Sequence, residues 1–465
     1  MAYRLQELEI PEDQPFKNDA LARQPIVEFL SGLVSRLCGP FVLALDSPWG
    51  TGKTTLIRML QADLKQKNFQ CVYFNAWQVD YVTDPLVALV SSIDEIRLED
   101  TEAASKFRGH LKIARNITSA VAKRGAIAVA KAATFGALDL EKEIEVVVAE
   151  VTGNLAGDAI DAFQKEKALL EKFRQELERA VAQLKEAGKN ESLIFFIDEL
   201  DRCRPTFAIE MLERIKHLFD VSNIIFVLSI DKAQLEASTA SVYGEKIDAP
   251  EYLRRFIDLE YGIPVVQTKQ FTTNLLTRFG LDPIFLLRTG SEVRYDKENF
   301  VDFFTAIADV FRLSLRARER CITRLVVVLD QTPSNNYLDP VLVAFLLILR
   351  SKQPDLFHAL CNGTTNPADA MQSLSKLPGG QKLVADQFGI VIETYLLAGD
   401  TDSARTEARY KELVEIAQNS TENQGEKNRA GELIDMRRHV PGAGQRRFKL
   451  SNIAAKIDFA SMVKD

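Results

Sequence analysis

The chain has no apolar run that approaches the ~18 residues needed to cross a bilayer. Its nearest approach, AVAKRGAIAVAKAATFGAL (120–138), is interrupted by Lys123, Arg124 and Lys131. It therefore reads as an alanine-rich helix pair in a soluble protein, with a membrane-surface helix as the alternative. The first residues, MAYRLQELEIPEDQ, are charged and lack the apolar core of a secretory signal. Cysteine is sparse: Cys38, Cys71, Cys203, Cys321 and Cys361 are odd in number and form no C-x-x-C pair. That excludes a zinc ribbon and points to reduced thiols in the cytoplasm. The four histidines, His110, His217, His358 and His439, are isolated, so none supplies a metal site with a second ligand at useful spacing. There is no excess of positive charge either. A net charge of −7 argues against a surface that coats nucleic acid, while leaving room for a local basic patch. No internal repeat and no low-complexity tract interrupts the chain.

What is present is an ordinary globular composition, 46% hydrophobic and 26% charged over 465 residues, enough for two or three domains with substantial cores. Short apolar runs, FVLALD (41–46), CVYFNA (71–76), LIFFID (193–198) and IIFVLSI (224–230), alternate with helical patterns. A weaker fifth, FIDLEYGI (256–263), closes at Pro264. This order predicts an α/β fold whose five-stranded, mainly parallel sheet is buried on both faces. Residues 1–40 form a lead-in with a helix, in which Ile26, Val27, Leu30, Leu33, Val34 and Leu37 recur at helical spacing. The sheet domain takes 41–90 and 190–265, and 91–189 is a helical insertion between its second and third strands. In its last part Leu170, Phe173, Leu177, Val181 and Leu184 recur every three or four residues, and Gly188 is placed to cap the helix. Residues 266–418 read as a helical domain. The remainder, 419–465, reads as a polar link (NSTENQGEKNRAG) followed by a basic segment.

LDSPWGTGKTTLIRML (45–60) follows the first strand and carries a phosphate-loop pattern, except that Ser47 occupies the position of the first glycine. A phosphate cradle needs convergent backbone N–H groups, a lysine for the terminal phosphates, a hydroxyl for the metal and a helix N-terminus behind them. Trp49, Gly50, Thr51, Gly52, Lys53, Thr54 and Thr55 supply that set, with Lys53 on the phosphates and Thr54 on Mg²⁺. Pro48 restricts Ser47 to extended backbone, so serine is expected to be tolerated there. The third strand ends in Asp198 and Glu199. An aspartate there suits the Mg²⁺ shell, and the adjoining glutamate suits the activation of water. A kinase has no use for such a base, whereas a hydrolase does. Two alternatives stay open: Asp201 as the base, or Glu199 as the start of a solvated helix. After the fourth strand, Ser229 and Asp231 are candidates to sense the γ-phosphate, or Asp231 simply caps a helix. The chain has no N-K-x-D guanine reader, which favours ATP.

Several stretches together resemble the KAP family of P-loop NTPases: PFKNDALARQPIVEFLSGL, SPWGTGKTTLI, VYFNAWQVDYVTDPLVALVSSI, FFIDELDRCRPTFAIEMLERIKHLF, IIFVLSIDKAQL and YLRRFIDLEYGIP. They span residues 15–264, and LSLRARERCITRL further on looks like the family's arginine segment. The resemblance implies a P-loop NTPase core of the class with a catalytic glutamate and a strand between the two Walker strands, near the STAND signalling ATPases. It implies Lys53 and Thr54 on phosphate and Mg²⁺, Asp198 on the metal and Glu199 on water. It makes Arg254 and Arg255 candidates for a finger-like contact with a γ-phosphate, and Arg316 a candidate to act from the helical domain; each can equally be a surface ion pair. The departures are Ser47 for glycine and Glu199 where many members carry aspartate. Many members also have transmembrane helices in the insertion, for which this chain has no adequate segment.

The function implied is an ATP-dependent switch or assembly, in bacteria associated with mobile elements and anti-phage defence, with self-association or a protein effector as partner. One competing reading is a nucleic-acid-stimulated motor, through Arg437, Arg438, Arg446, Arg447, Phe448 and Lys449. Another is a scaffold that binds ATP without turnover. No nuclease, protease or deaminase motif accompanies the loop.

Overall fold

The structure, a computed structural model, describes residues 2–5, 8–82, 84–93, 96–130, 159–264, 268–287, 296–332, 339–400, 402–419, 423–438 and 450–458, the side chains of 119–130 and 159–166 excepted. It divides into two compact units. One comprises Leu8–Asp19 and Arg23–Val265, the other Met1–Glu7, Ala20–Ala22 and Val266–Asp465.

The first unit is built on five strands: β1 (Phe41–Asp46), β2 (Gln70–Asn75), β3 (Leu193–Asp198), β4 (Ile224–Ile230) and β5 (Leu259–Gly262). They lie in the order β2-β3-β4-β1-β5 and every pairing is parallel. β4 thus separates β1 from β3, as the family resemblance implies. β2 and β3 are neighbours although residues 76–192 lie between them, so the insertion leaves the sheet and returns to it. Successive side chains on a strand point to opposite faces, and here both faces are covered. Leu43, Leu45, Ile225 and Val227 pack with Val27, Leu30, Leu56 and Leu60 from α1 (Gln24–Val34) and α2 (Lys53–Gln66). Val42, Ala44, Phe195 and Phe226 pack on the other face. β3 and β4 are buried along their whole length, whereas β5, the short fifth run, is a largely exposed edge.

That other face carries α3 (Pro85–Ser92), α4 (Glu102–Ala130), α5 (Ala159–Glu186) and α6 (Pro205–Leu218). Phe219 is the hinge pin of this layer. Its ring meets Phe173 of α5 and Phe195 and Phe226 of the sheet edge-on, at 5.7, 5.8 and 5.5 Å. Phe107, Leu111, Ala114 and Ile117 of α4 join Phe173, Leu177, Val181 and Leu184 of α5 in the same core, and His110 Nδ1 lies 2.7 Å from the buried Glu176 carboxylate. α5 ends as its sequence predicts. Gly188 takes φ +73°, and the N–H of Lys189 reaches back to the Leu184 carbonyl at 2.9 Å. α7 (Lys232–Tyr243) and the short α8 (Ala249–Leu253) complete the unit.

The second unit is helical throughout its described residues beyond 266. The part of the expected helical domain from 296 to 330 forms two helices, Asp296–Val310 and Leu315–Asp330, the second capped by Ser314. Asp339 caps the apolar helix Pro340–Lys352 through the N–H groups of Val341 and Leu342. The expected polar link at 419–431 is corrected by the structure: Gln424–Met436 is a helix capped by Asn423. Polar composition hid a narrow stripe in which Ala430 and Leu433 pack on Tyr410, Leu413, Ile390 and Leu397. Arg429 and Arg409 converge on the buried Glu393 at 2.7 and 2.9 Å and bind the same helices together. Among the described residues no helix is long and apolar enough to cross a membrane. The middle of the insertion, 131–158, and Arg446, Arg447, Phe448 and Lys449 of the basic segment lie outside the described residues.

Candidate active site

In a parallel sheet the strand ends gather functional side chains along one edge. Register places Asn75 beside Asp198, Asp198 beside Ser229 and Ser229 beside Leu45, so β2, β3, β4 and β1 end in line. The loop 47–52 leaves β1 at that edge and runs into α2. Gly50 and Gly52 have φ +77° and +85°, a left-handed backbone that glycine adopts without a Cβ penalty. Ser47 is not among the residues of positive φ, so this position requires no glycine. Its hydroxyl braces the loop instead: Ser47 Oγ donates to Thr51 Oγ1 at 2.8 Å, and Thr51 Oγ1 donates to the Pro48 carbonyl at 2.9 Å.

Lys53 is the first residue of α2 and is 9% exposed. Its ammonium donates to the Ser47 carbonyl and lies 3.9 Å from Asp201 Oδ2. Burial pulls Lys53 below the usual lysine range, opposed by the Asp201, Asp231, Asp198 and Asp46 carboxylates. Burial likewise raises Asp201, opposed by Lys53 and by the indole N–H that Trp49 donates to it. Asp231 stands at the N-cap of α7 but does not cap it. Its carboxylate accepts the Trp49 backbone N–H at 3.2 Å, tying β4 to the loop. Thr54 and Thr55 follow in the first turn of α2, half-buried.

Asp198 is 1% exposed, and both of its oxygens are held: the Tyr73 hydroxyl donates to Oδ2 at 2.9 Å and the Glu199 N–H to Oδ1 at 3.0 Å. Burial, then the Asp198 charge, keeps the Tyr73 phenol protonated well above its ordinary range, and the Arg58 guanidinium lies 3.2 Å from the centre of the ring. Glu199 does not open a regular solvated helix. It sits at φ +60°, ψ +24°, a conformation that costs a non-glycine residue about 1–2 kcal/mol. Its carboxylate accepts from Asn75 Nδ2 at 3.0 Å and is ion-paired with Arg202, which lies over the Trp77 ring.

Lys53, Asp198, Glu199, Ser229 and the 49–55 loop are thus brought to one edge. Arg254 and Arg255 are not joined to them among the described residues. Arg254 is exposed and paired with Glu251 at 2.8 Å, and Arg255 is exposed with its guanidinium 5.7 Å from the Tyr252 ring. Arg316 belongs to the helical unit and is exposed there; it is Arg318 that is buried, paired with Asp309. Tyr73, Asn75 and Arg23 escaped the sequence reading. The first two carried a signal, as polar residues two apart at the end of an apolar strand share one face. Arg23 carried none.

The donor set fits a nucleotide and a hard cation. The Ser229 hydroxyl, wholly buried at the end of β4, and Asp201 Oδ1 have no hydrogen-bond partner among the described residues. Buried polar atoms in folded proteins are usually paired, and these two stand at the edge that also holds Lys53 and Asp198.

With β4 standing between the strand that carries the loop and the strand that carries the carboxylates, the molecule is a nucleotide-binding P-loop NTPase of the additional-strand class. It belongs to the KAP family: the family's P-loop domain matches residues 23–330. No curated protein matches the chain. Solved structures similar to it include the ORC2 protein of Aeropyrum pernix in ADPNP–ADP complexes, at 13% identity and a TM-score of 0.34, covering 90% of this chain and 95% of that one. Another is AMPPCP-bound DnaA from Aquifex aeolicus, at 13% identity and a TM-score of 0.28, covering 96% and 95%. At these scores neither carries further argument.

Proposed function

We propose that the protein is a Mg²⁺-dependent ATPase in which nucleotide state acts as a regulatory switch. The observation that carries the reading is the placement of Glu199. It adjoins the buried Asp198, across β4 from the loop that holds Lys53, and is aimed by Asn75 and Arg202 rather than left in solvent. In this reading the N–H groups of the loop and Lys53 bind the β- and γ-phosphates. Thr54 and Asp198 hold Mg²⁺, which supplies neutralisation of phosphate charge when bound. Glu199 takes a proton from the water whose oxygen bonds to the γ-phosphorus, while the bond from that phosphorus to the ADP oxygen breaks. In this reading the buried Ser229 hydroxyl, without a partner among the described residues, reports on the γ-phosphate. Arg255, exposed and outside this cluster, suits contact with the nucleotide of a second copy, and Arg316 is an exposed candidate on the helical unit.

Family membership supports self-association or a protein effector as the output, in a bacterial anti-phage or mobile-element setting. The nucleic-acid-stimulated motor is the weaker reading. Of its basic segment, Arg437 is engaged by Glu407 and the Tyr410 ring and Arg438 by Asp435. The test is ATP turnover together with mass in solution, with and without nucleotide, for the parent, Lys53→Ala and Glu199→Gln. The parent is expected to hydrolyse ATP and change mass or shape, and Lys53→Ala to do neither. Turnover surviving in Lys53→Ala would refute the assigned site. Absence of turnover in the parent, with ATP bound, would leave the scaffold reading standing. Stimulation by DNA that collapses with salt would favour the motor.

A further inference from the structure

Arg23 is an arginine in the wrong place for a surface residue. It is 2% exposed, at the N-cap of α1, with its carbonyl accepting the N–H groups of Ile26 and Val27 at 2.9 and 3.0 Å. Its backbone is therefore fixed to a helix whose apolar face, Val27 and Leu30, packs in the same core as Leu56 and Leu60 of α2. The guanidinium reaches the phosphate loop from behind: NH1 donates to the Gly52 carbonyl at 2.7 Å and NH2 to the Thr51 carbonyl at 2.5 Å. Its Nε is buried without a partner among the described residues. Burial lowers its pKa to about 10, with Asp19 opposing, so it remains cationic at neutral pH.

A buried cation held by two neutral carbonyls is a costly arrangement, and surface exposure would remove the cost. Its effect on the loop follows from peptide geometry. In a trans peptide the C=O and N–H lie in one plane and point in opposite directions. The carbonyl of Thr51 shares its plane with the N–H of Gly52, and the carbonyl of Gly52 shares its plane with the N–H of Lys53. The Gly52 carbonyl also accepts the Leu56 N–H at 3.1 Å, the first rung of α2; Arg23 ties the Thr51 carbonyl to it on one fork, so that both N–H groups turn away from Arg23. These two donors precede the intrahelical ladder of α2, and so they are free to bind an anion.

We infer that Arg23 is a positioning residue for nucleotide binding: its two-pronged grip on the Thr51 and Gly52 carbonyls pre-orients the Gly52 and Lys53 N–H groups toward phosphate. The role depends on the shape of the guanidinium, because an ammonium cannot bridge two carbonyls in a fixed fork. This rests on the reading of 47–54 as the nucleotide site.

The test is the dissociation constant of Mg·ADP and Mg·ATP, by calorimetry on the full chain, for the parent, Arg23→Ala, Arg23→Lys and Lys53→Ala. Arg23→Ala is expected to weaken binding by about tenfold or more, the scale of hydrogen bonds to a charged group, and Arg23→Lys by a comparable factor. Methylguanidinium added to Arg23→Ala is expected to restore affinity and methylammonium to fail. Amide hydrogen exchange is expected to quicken in residues 49–54 and not throughout the sheet. Parent-like binding by Arg23→Lys, or equal rescue by the two cations, would show that charge alone acts and overturn the inference; so would parent-like binding by Arg23→Ala. Should Arg23→Ala fail to fold, Arg23→Lys decides. If Lys53→Ala binds as the parent does, the site reading itself fails. If Lys53→Ala loses binding and both Arg23 variants keep it, only the inference about Arg23 fails.

Discussion

Glu199 shows what the site demands of single residues. Its backbone is held in the left-handed region, its carboxylate is held by Asn75 and Arg202, and neither arrangement serves packing. Glu199→Gln keeps the hydrogen-bonding shape and removes the base, so turnover is expected to fall by about a hundredfold or more while ATP remains bound, read by single-turnover assay and calorimetry. Asp201 tests the electrostatics. Burial raises its carboxyl above the ordinary 3.8, so the folded state holds that proton more tightly than the unfolded chain does. Its contribution to stability is then greatest at acidic pH and is lost as pH rises through the unfolded value and on through the folded one. Asp201→Asn copies the protonated form at every pH. The stability of the variant relative to the parent is therefore expected to rise from pH 4 to pH 7, as urea midpoints at the two pH values would show. A constant difference would mean that Asp201 is not shifted. The Walker residues themselves were legible because each stands at a fixed step from the end of an apolar run. Arg23 was not, since it stands 28 and 29 positions from the two carbonyls it grips and only the packing of α1 on α2 closes the gap.

At the scale of elements, strands and caps were read from local pattern and the surprises came from burial. Continuous apolar runs became β1, β3 and β4, buried on both faces, and Gly188 ended α5 through the φ that glycine permits. The helix Gln424–Met436 was hidden because its sequence is polar on all but a narrow stripe. Leu433, wholly buried there, is expected to cost about 2–5 kcal/mol on change to alanine, read from the loss of melting temperature. Phe219 is the corresponding residue of the first unit: 1% exposed and edge-on to three rings, it ties α5 to the sheet. Phe219→Ala is expected to cost about 3–5 kcal/mol, with nucleotide affinity less affected than by Lys53→Ala, because the ring lies in the insertion layer and not at the strand ends.

For the whole molecule, the two units have separate cores, and the residues proposed for phosphate and metal all belong to the one that carries the sheet. Ligand that binds only the folded sheet unit stabilises it by mass action, about 2.7 kcal/mol at a hundredfold excess over its dissociation constant. Mg·ATP is therefore expected to raise the unfolding temperature of the parent and to leave Lys53→Ala unmoved, as scanning calorimetry would show. A shift in both would place the nucleotide elsewhere. What the sequence by itself determined was whatever depends on neighbours along the chain: the alternation of apolar runs and helices, the loop at the end of β1, the acidic pair at the end of β3, the glycine that ends α5. Only the tertiary structure decided the rest. It placed β4 between the loop and the acidic pair, turned Tyr73 and Asn75 onto Asp198 and Glu199, drew Asp231 off its helix to the Trp49 N–H, and set Arg23 behind the phosphate loop. The reason is physical. Those contacts join residues distant along the chain, and their worth comes from a shared low-dielectric environment that exists only once both faces of the sheet are covered.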